Sequence, residues 1–303
     1  MNNKLPNFLI VGAAKCGTSS LHDYLNQHPD IFMPTFTADG LKVKEPRFLI
    51  KEKIQKRLQK GIWNYKDYKL LFQGVTDEIA IGEATVLYLY YHSEAIKNIK
   101  KYLGEDVKII IMLRNPIDRA YSAYSFASRT LQENQSFNEA LINARPRFDN
   151  DETLSPMILY KELGMYYKMV KDYMQNFKYV HIVIYDDFIL QTDREVNKVL
   201  DFLNINTITN INTSTIINSG GRKWDSKFVK KLLMVDSIFK KILKIIIPKK
   251  IRVNIKNRLV QSFTSKADLI NKTTKKELLD YYYKDIHLLE KLINKDLSKW
   301  LKI

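Results

Sequence analysis

An apolar run from Phe8 to Val11 leads into Gly12 and then, past Gly17, into a helix. Leu21, Tyr24 and Leu25 mark that helix at helical spacing, and His28-Pro29 closes the segment. A strand that ends in a glycine turn and passes straight into a helix is a unit of α/β architecture. The same turn is an anion cradle. Gly12 and Gly17 stand five apart, so several N–H groups between them can point at one negative group, and Lys15 adds charge to that cradle. Thr18 and Ser19 offer hydroxyl donors in the first turn, where the helix dipole also favours an anion. The phosphate-loop pattern GxxxxGK[ST] wants its lysine directly after the second glycine; here Thr18 stands there, and Lys15 lies inside the loop. An ATP or GTP loop is therefore a poor match. The bland alternative is a glycine turn with a solvent-facing lysine.

The strand-to-helix alternation repeats. Ile79 to Ala84 reads as a strand. Lys108 to Leu113 (KIIIML) reads as a strand buried on both faces, followed by Asn115-Pro116 and a helix from Ile117 to about Thr130. Tyr179 to Tyr185 (YVHIVIY) is a further strand, and Val196, Val199, Leu200 and Leu203 mark the helix after it. The expected fold class is α/β: a P-loop-like parallel sheet with helices on both faces and ligands at the carboxyl ends of its strands. The last eighty residues change character, with a basic stretch from Lys227 to Lys244, a break at Pro248 and an amphipathic run from Thr274 to Leu301. No Gly-, Ser- or Pro-rich linker sets them apart. They read as a helical C-terminal extension, about 224–303, of one domain spanning 1–303.

Composition bounds the partners. Lys plus Arg number 49 against 33 Asp plus Glu, a net charge of +16 that favours anionic ligands. The charge is dispersed and no nucleic-acid-binding motif appears, so no nucleic-acid partner is expected. Cys16 is the single cysteine, which excludes an intramolecular disulfide and a multi-cysteine metal site. The five histidines, His22, His28, His92, His181 and His287, show no metal-ligand spacing, so no metal is expected. No stretch reaches the ~18 apolar residues of a membrane span and none reads as a leader, which predicts a cytoplasmic protein of a reducing compartment. The run KKILKIIIPKKIR, Lys240 to Arg252, suits either a solvated basic face or peripheral contact with an anionic membrane.

A second anion motif follows KIIIML. In RNPIDRAYSAY, Arg114 leaves the strand end and Ser122 follows eight residues later, two turns into the next helix. Together they can clamp one phosphate from two directions. The alternative pairs Arg114 with Asp118 or Asp106. A third piece, NSGGRKW from Asn218 to Trp224, frees the backbone at Gly220 and Gly221 and supplies charge through Arg222 or Lys223.

These motifs, in this order, resemble the sulfotransferases that use 3′-phosphoadenosine 5′-phosphosulfate (PAPS). Lys15, Gly17, Thr18, Ser19 and Leu21 fit the family's K-x-G-T-[ST]-x-L loop; His28 to Ile31 (HPDI), IVIYDDF with Tyr185 and Asp187, and the closing DLSKWL, Asp296 to Leu301, are also similar. The resemblance implies that Lys15, Cys16, Gly17, Thr18 and Ser19 hold the 5′-phosphosulfate, with the Cys16 side chain incidental. It implies that Arg114 and Ser122 hold the 3′-phosphate, and that Gly221 and Arg222 lie over it. The product would be adenosine 3′,5′-bisphosphate (PAP), with no metal required.

The family's glycan-modifying branch carries K-E-x-x-F-F, and Lys44 to Phe48 read KEPRF, with Leu49 in place of the second aromatic. The resemblance makes Glu45 the catalytic base and Glu83, in IGEAT, a second carboxylate that orients the acceptor or shares base duty. Ala84 stands where some relatives have a lysine, which leaves Lys15 and Lys44 to supply charge near the sulfonate. A histidine base, as in the small-molecule branch, would fall to His92. The implied activity is a bacterial-type sulfotransferase acting on a hydroxyl of a sugar, glycan or glycolipid. A P-loop kinase or NTPase is the competing enzyme, and a basic nucleic-acid-binding module the competing non-enzyme. The polar segments Pro34 to Val43 and Arg145 to Pro156 border the site in sequence and are expected to be mobile and to select the acceptor. Of the aromatics Trp63, Tyr65, Tyr68, Tyr88, Tyr90 and Tyr91, most are expected in the core.

Overall fold

The computed structural model describes residues 4–37, 40–41, 43–130, 132–207, 211–214, 222–226, 258, 262–266 and 268–302. Strand β1 (Phe8–Gly12) is buried at every position. Successive side chains of a strand point to opposite faces, so complete burial means that both faces are covered. Helix α1 (Thr18–Leu25) follows the glycine turn, and β2 (Ile31–Phe32) is a two-residue strand. Short helices α2 (Lys51–Ile54) and α3 (Tyr65–Leu70) precede β3 (Ala80–Ala84). Then come α4 (His92–Tyr102), β4 (Lys108–Leu113) and α5 (Pro116–Arg129). Helices α6 (Phe137–Asn150) and α7 (Tyr166–Asn176) lead to β5 (Val180–Ile184), α8 (Tyr185–Leu190) and α9 (Thr192–Leu203).

The five strands form one sheet in the order β2-β3-β1-β4-β5, and every pairing is parallel. Phe8 stands opposite Gly82 on one side and Lys108 on the other, so β1 is central and the turns after β1 and β4 open side by side. The α/β class with a helix-flanked parallel sheet is therefore as expected. Local chemistry sets the helix starts. Asn115 caps α5 by accepting the Ile117 N–H with Pro116 in the first turn, and Ser136 with Glu139 forms a capping box on α6.

The last helix, α10 (Lys272–Ile293), is bonded into the α/β body. Buried Asp285 accepts the N–H of Tyr166 at 2.8 Å and of Tyr167 at 3.2 Å, taking two of the donors that the first turn of α7 leaves unpaired. The Tyr282 hydroxyl donates to the Lys161 carbonyl at 2.9 Å, and the Trp300 indole N–H donates to Asp186 at 3.0 Å.

The chain departs from expectation in two places. An antiparallel pair joins the end of the NSGGRKW segment to the C-terminal extension: β6 (Arg222–Trp224) pairs with β7 (Thr264–Lys266), with Arg222 opposite Lys266 in register. Its partners lie some forty residues apart, so no local periodicity announces it. The segment expected to be mobile from Arg145 to Pro156 is instead ordered: Arg145 to Asn150 complete α6 with Pro146 inside the helix, and Pro156–Ile158 form a 3-10 turn. Arg57 fastens it by donating to the carbonyls of Phe148, Asp151 and Leu154. Gly220, Gly221, Lys227 to Lys244, Pro248 and the basic run Lys240 to Arg252 lie outside the described residues.

Candidate active site

The turn between β1 and α1 has an unusual backbone. Gly12 has φ +150°, and a Cβ there would stand 2.7 Å from the Leu89 Cβ and 2.8 Å from the Val86 carbonyl oxygen. Gly17 has φ +89° and caps α1 without a side chain, so the first-turn N–H groups have no side-chain cap and can serve a ligand. Lys15 takes a left-handed φ of 70°, which costs energy for a residue with a Cβ.

These residues open into a cavity of about 380 Å³, a size that suits a small-molecule ligand. Lys15, Gly17, Thr18 and Ser19 line it from the turn, Arg114 from the end of β4, Ser122 from α5, and Lys44 with Glu45 from the loop before α2. The two anion motifs separated by a hundred residues thus share one cavity. Arg114 sits 4.6 Å above the Tyr185 ring, and its backbone carbonyl accepts the Tyr166 hydroxyl at 3.1 Å. Tyr185 also lies against the Gly17 Cα, where a Cβ would be 3.2 Å from the ring.

The cavity's electrostatics favour an anion. Burial, with Arg129 and Arg114 close by, pushes the Lys15 ammonium down to about 8. Its Nζ lies 4.3 Å over the Phe126 ring. Lys44 donates to the Ser19 hydroxyl at 2.6 Å, and burial lowers its pKa as well. Several cations therefore converge where negative charge would relieve their repulsion.

Glu45 is half-buried at the cavity wall, 3.6 Å from the Arg47 guanidinium. The loop carrying it is fixed from below. Arg47, itself at φ 63°, donates its N–H to the Thr85 hydroxyl at 3.2 Å, and the Leu49 N–H donates to the Tyr88 hydroxyl at 3.2 Å. Thr85 in turn donates to Glu83 at 2.8 Å, and Tyr68 donates to the other Glu83 oxygen at 2.6 Å. Tyr68 stacks on Phe48 with centroids 4.5 Å apart. Glu83 is fully buried, its carboxyl pushed up to about 7 by desolvation, and it does not line the cavity. It stands beneath the Glu45 loop.

Cys16 is buried, with its thiol directed at the Ala14 carbonyl (3.7 Å) and the Tyr166 hydroxyl (3.8 Å), and desolvation raises it to about 11. Only its backbone belongs to the turn. His92 pairs with Asp172 at 2.8 Å, outside the cavity lining, and burial lowers its pKa. Arg222 enters β6, Gly221 lies outside the described residues, and the neighbouring Trp224 indole donates to the Arg129 carbonyl at 3.1 Å. Asp187 lines a separate pocket with Arg194 and Lys198. Phe126, Arg129, Thr85 and Tyr68 were not anticipated as site residues. Phe126 and Arg129 do lie four and seven positions beyond Ser122, a helical spacing that places them on the same face of α5.

The chain resembles known proteins along most of its length. A family model described as a sulfotransferase domain matches residues 5–274. Carbohydrate sulfotransferase 15 of Mus musculus is 25% identical over 257 residues, covering 68% of this chain and 45% of the relative. Heparan sulfate glucosamine 3-O-sulfotransferase 3B1 of the same species is 26% identical over 209 residues, covering 68% and 48%. The chain thus spans about half the length of the curated relatives it matches. The solved structure of a sulfotransferase from Alicyclobacillus acidocaldarius superposes with a TM-score of 0.73 at 29% identity, covering 99% of this chain and all of that one. With a family match that runs from before β1 into α10, and with its two anion motifs meeting in one cavity, the chain belongs to the sulfotransferase domain family.

Proposed function

We propose that the protein transfers the sulfuryl group of PAPS to a hydroxyl of a sugar, glycan or glycolipid acceptor, with Glu45 as the base. The observation that carries this reading is the single cavity bounded by Lys15, Arg114 and Ser122 on its cationic side and by Glu45 on its wall. The uncapped first turn of α1 and the converging cations suit the phosphosulfate, and Arg114 with Ser122 suits the 3′-phosphate.

In the transfer, the Glu45 carboxylate takes the acceptor hydroxyl proton as the oxygen bonds to sulfur in line. The bond from sulfur to the 5′-phosphate oxygen breaks, and its electron pair stays on PAP. Lys15 and the α1 N–H groups stabilise the charge that grows on that oxygen. Glu83 acts at a distance, holding the Lys44 to Phe48 loop through Thr85 and Tyr68. The same roles assign no step to His92. A phosphoryl-transfer site would instead place an acidic Mg²⁺ residue at a strand end, and β4 ends beside Arg114. Carbohydrate acceptors are favoured by the names of the curated relatives. Among the described residues no helix is long and apolar enough to cross a membrane.

Calorimetry with PAP, and separately with ATP and Mg²⁺, tests the cosubstrate. Glu45→Gln is expected to bind PAP as the parent does and to lose turnover by ~10²-fold or more. Tight binding of ATP alone, or full turnover in Glu45→Gln, would overturn the assignment.

A further inference from the structure

The cavity has two chemically different sides. Its cations Lys15, Lys44 and Arg114 belong to the turn after β1 and the end of β4, with Lys44 bonded to Ser19. Around Glu45 the wall is mostly apolar, with Arg47 and Ser155 as its other polar members. The chain after Glu45 folds back on itself, since the Ile62 N–H donates to the Pro46 carbonyl at 2.8 Å and Arg47 donates to the Lys60 carbonyl at 2.7 Å. That fold brings Leu58 to the wall. The Arg57 bond to Leu154 brings up Ser155 and Met157, and Val86 and Leu87 follow Thr85, the partner of the Arg47 N–H.

Four arginines near this wall are already engaged. Arg47 meets Glu45 at 3.6 Å and the Lys60 carbonyl. Arg57 donates to three carbonyls and lies 3.7 Å over the Phe148 ring. Arg145 is held by Glu162 at 3.1 Å, Asp149 at 3.5 Å and the Tyr90 hydroxyl at 3.2 Å. Arg147 meets buried Glu133 at 2.9 Å. An acceptor bearing uronates or sulfates would bring negative charge beside Glu45, where the lining cation Arg47 already meets that carboxylate and Lys44 is turned to Ser19.

We infer that the acceptor is uncharged and carries an aryl or alkyl surface next to its reacting hydroxyl, seated on Leu58, Val86, Leu87 and Met157. The inference rests on the sulfuryl-transfer reading and sharpens its substrate class. Such a surface gains from leaving water in proportion to the area covered, whereas a bare sugar gains little.

The test measures binding to the protein saturated with PAP, using octyl β-glucoside below its micelle threshold, 4-nitrophenyl β-glucoside, glucose and a heparosan hexasaccharide. The two glycosides are expected to bind at least tenfold tighter than glucose, and the hexasaccharide more weakly than either. Leu58→Gln and Met157→Gln are expected to lose about fivefold or more for the glycosides while PAP affinity stays within twofold. The inference is overturned if the hexasaccharide binds tightest, if the glycosides bind no better than glucose, or if both variants leave glycoside affinity unchanged. PAP is titrated first and separately, so a protein that fails to bind PAP refutes the transfer reading, whereas one that binds PAP but prefers the hexasaccharide refutes only this inference.

Discussion

Lys15→Met should make the unliganded protein more stable and spoil its nucleotide site. Burial and the neighbouring Arg129 and Arg114 bring Lys15 from 10.5 to about 8. That displacement corresponds to about 3 kcal/mol of penalty on the charged form in the folded state. The methionine gives up the contact with Phe126, a cation–π interaction of about 0.5–1 kcal/mol, and keeps an apolar stem against the ring. The net gain is then about 2 kcal/mol at pH 7, or ~3 °C in Tm for a domain of this size.

The pH dependence has a definite sign. The folded protein releases the Lys15 proton more readily than the unfolded chain, so the penalty is fully present below about pH 8 and fades between about 8 and 10.5. The stability gap between variant and parent should close over that window. Urea titrations from pH 6.5 to 10 measure it. PAP should reverse the order, because it stabilises the parent in proportion to its occupancy and the variant far less. A variant less stable than the parent at pH 7, or a gap that persists unchanged to pH 10, would refute the reasoning.

Glu83, raised to about 7 by burial, holds its proton longer in the folded state than the unfolded carboxyl does, so it lowers stability progressively as pH rises from about 4.5 to 7. Glu83→Gln should therefore gain on the parent across that interval in urea denaturation, and a gap that stays flat with pH would contradict the assignment. Asp285→Ala removes the acceptor for two N–H groups at the start of α7 and should cost about 1–3 kcal/mol, with turnover per folded molecule unchanged. A loss below ~0.5 kcal/mol would show that water replaces the carboxylate there.

The readable parts of this chain were those encoded by neighbours in sequence. KIIIML announced β4 to the residue, because a strand buried on both faces needs no alternation, and Asn115-Pro116 announced the start of the helix after it. Lys15 and Arg114 were legible because each follows a strand end, with Ser122 two turns into the helix after β4, and parallel strands bring their ends together. Thr85, Tyr68 and Glu83 were legible only as single residues. Their service to the Glu45 loop depends on β3 passing beneath a segment some forty residues earlier, which spacing does not record. The pair β6 and β7 failed for the same reason, and α6 ran on through Pro146 where the polar character of the segment argued for mobility.

The central place of β1 sets a condition on synthesis. It is buried at every position and pairs with β3 and β4, which leave the ribosome about 70 and 100 residues later. Until β4 arrives, FLIVG is a hydrophobic strand with an open edge, a template for association with other chains. Arg114 arrives with it, so the end of that hazard comes shortly before α5 and Ser122 complete the proposed anion clamp. Fragments that stop before Lys108 should aggregate and ignore nucleotide, whereas fragments that pass Arg129 carry both strands and the face of α5 that completes the cationic side.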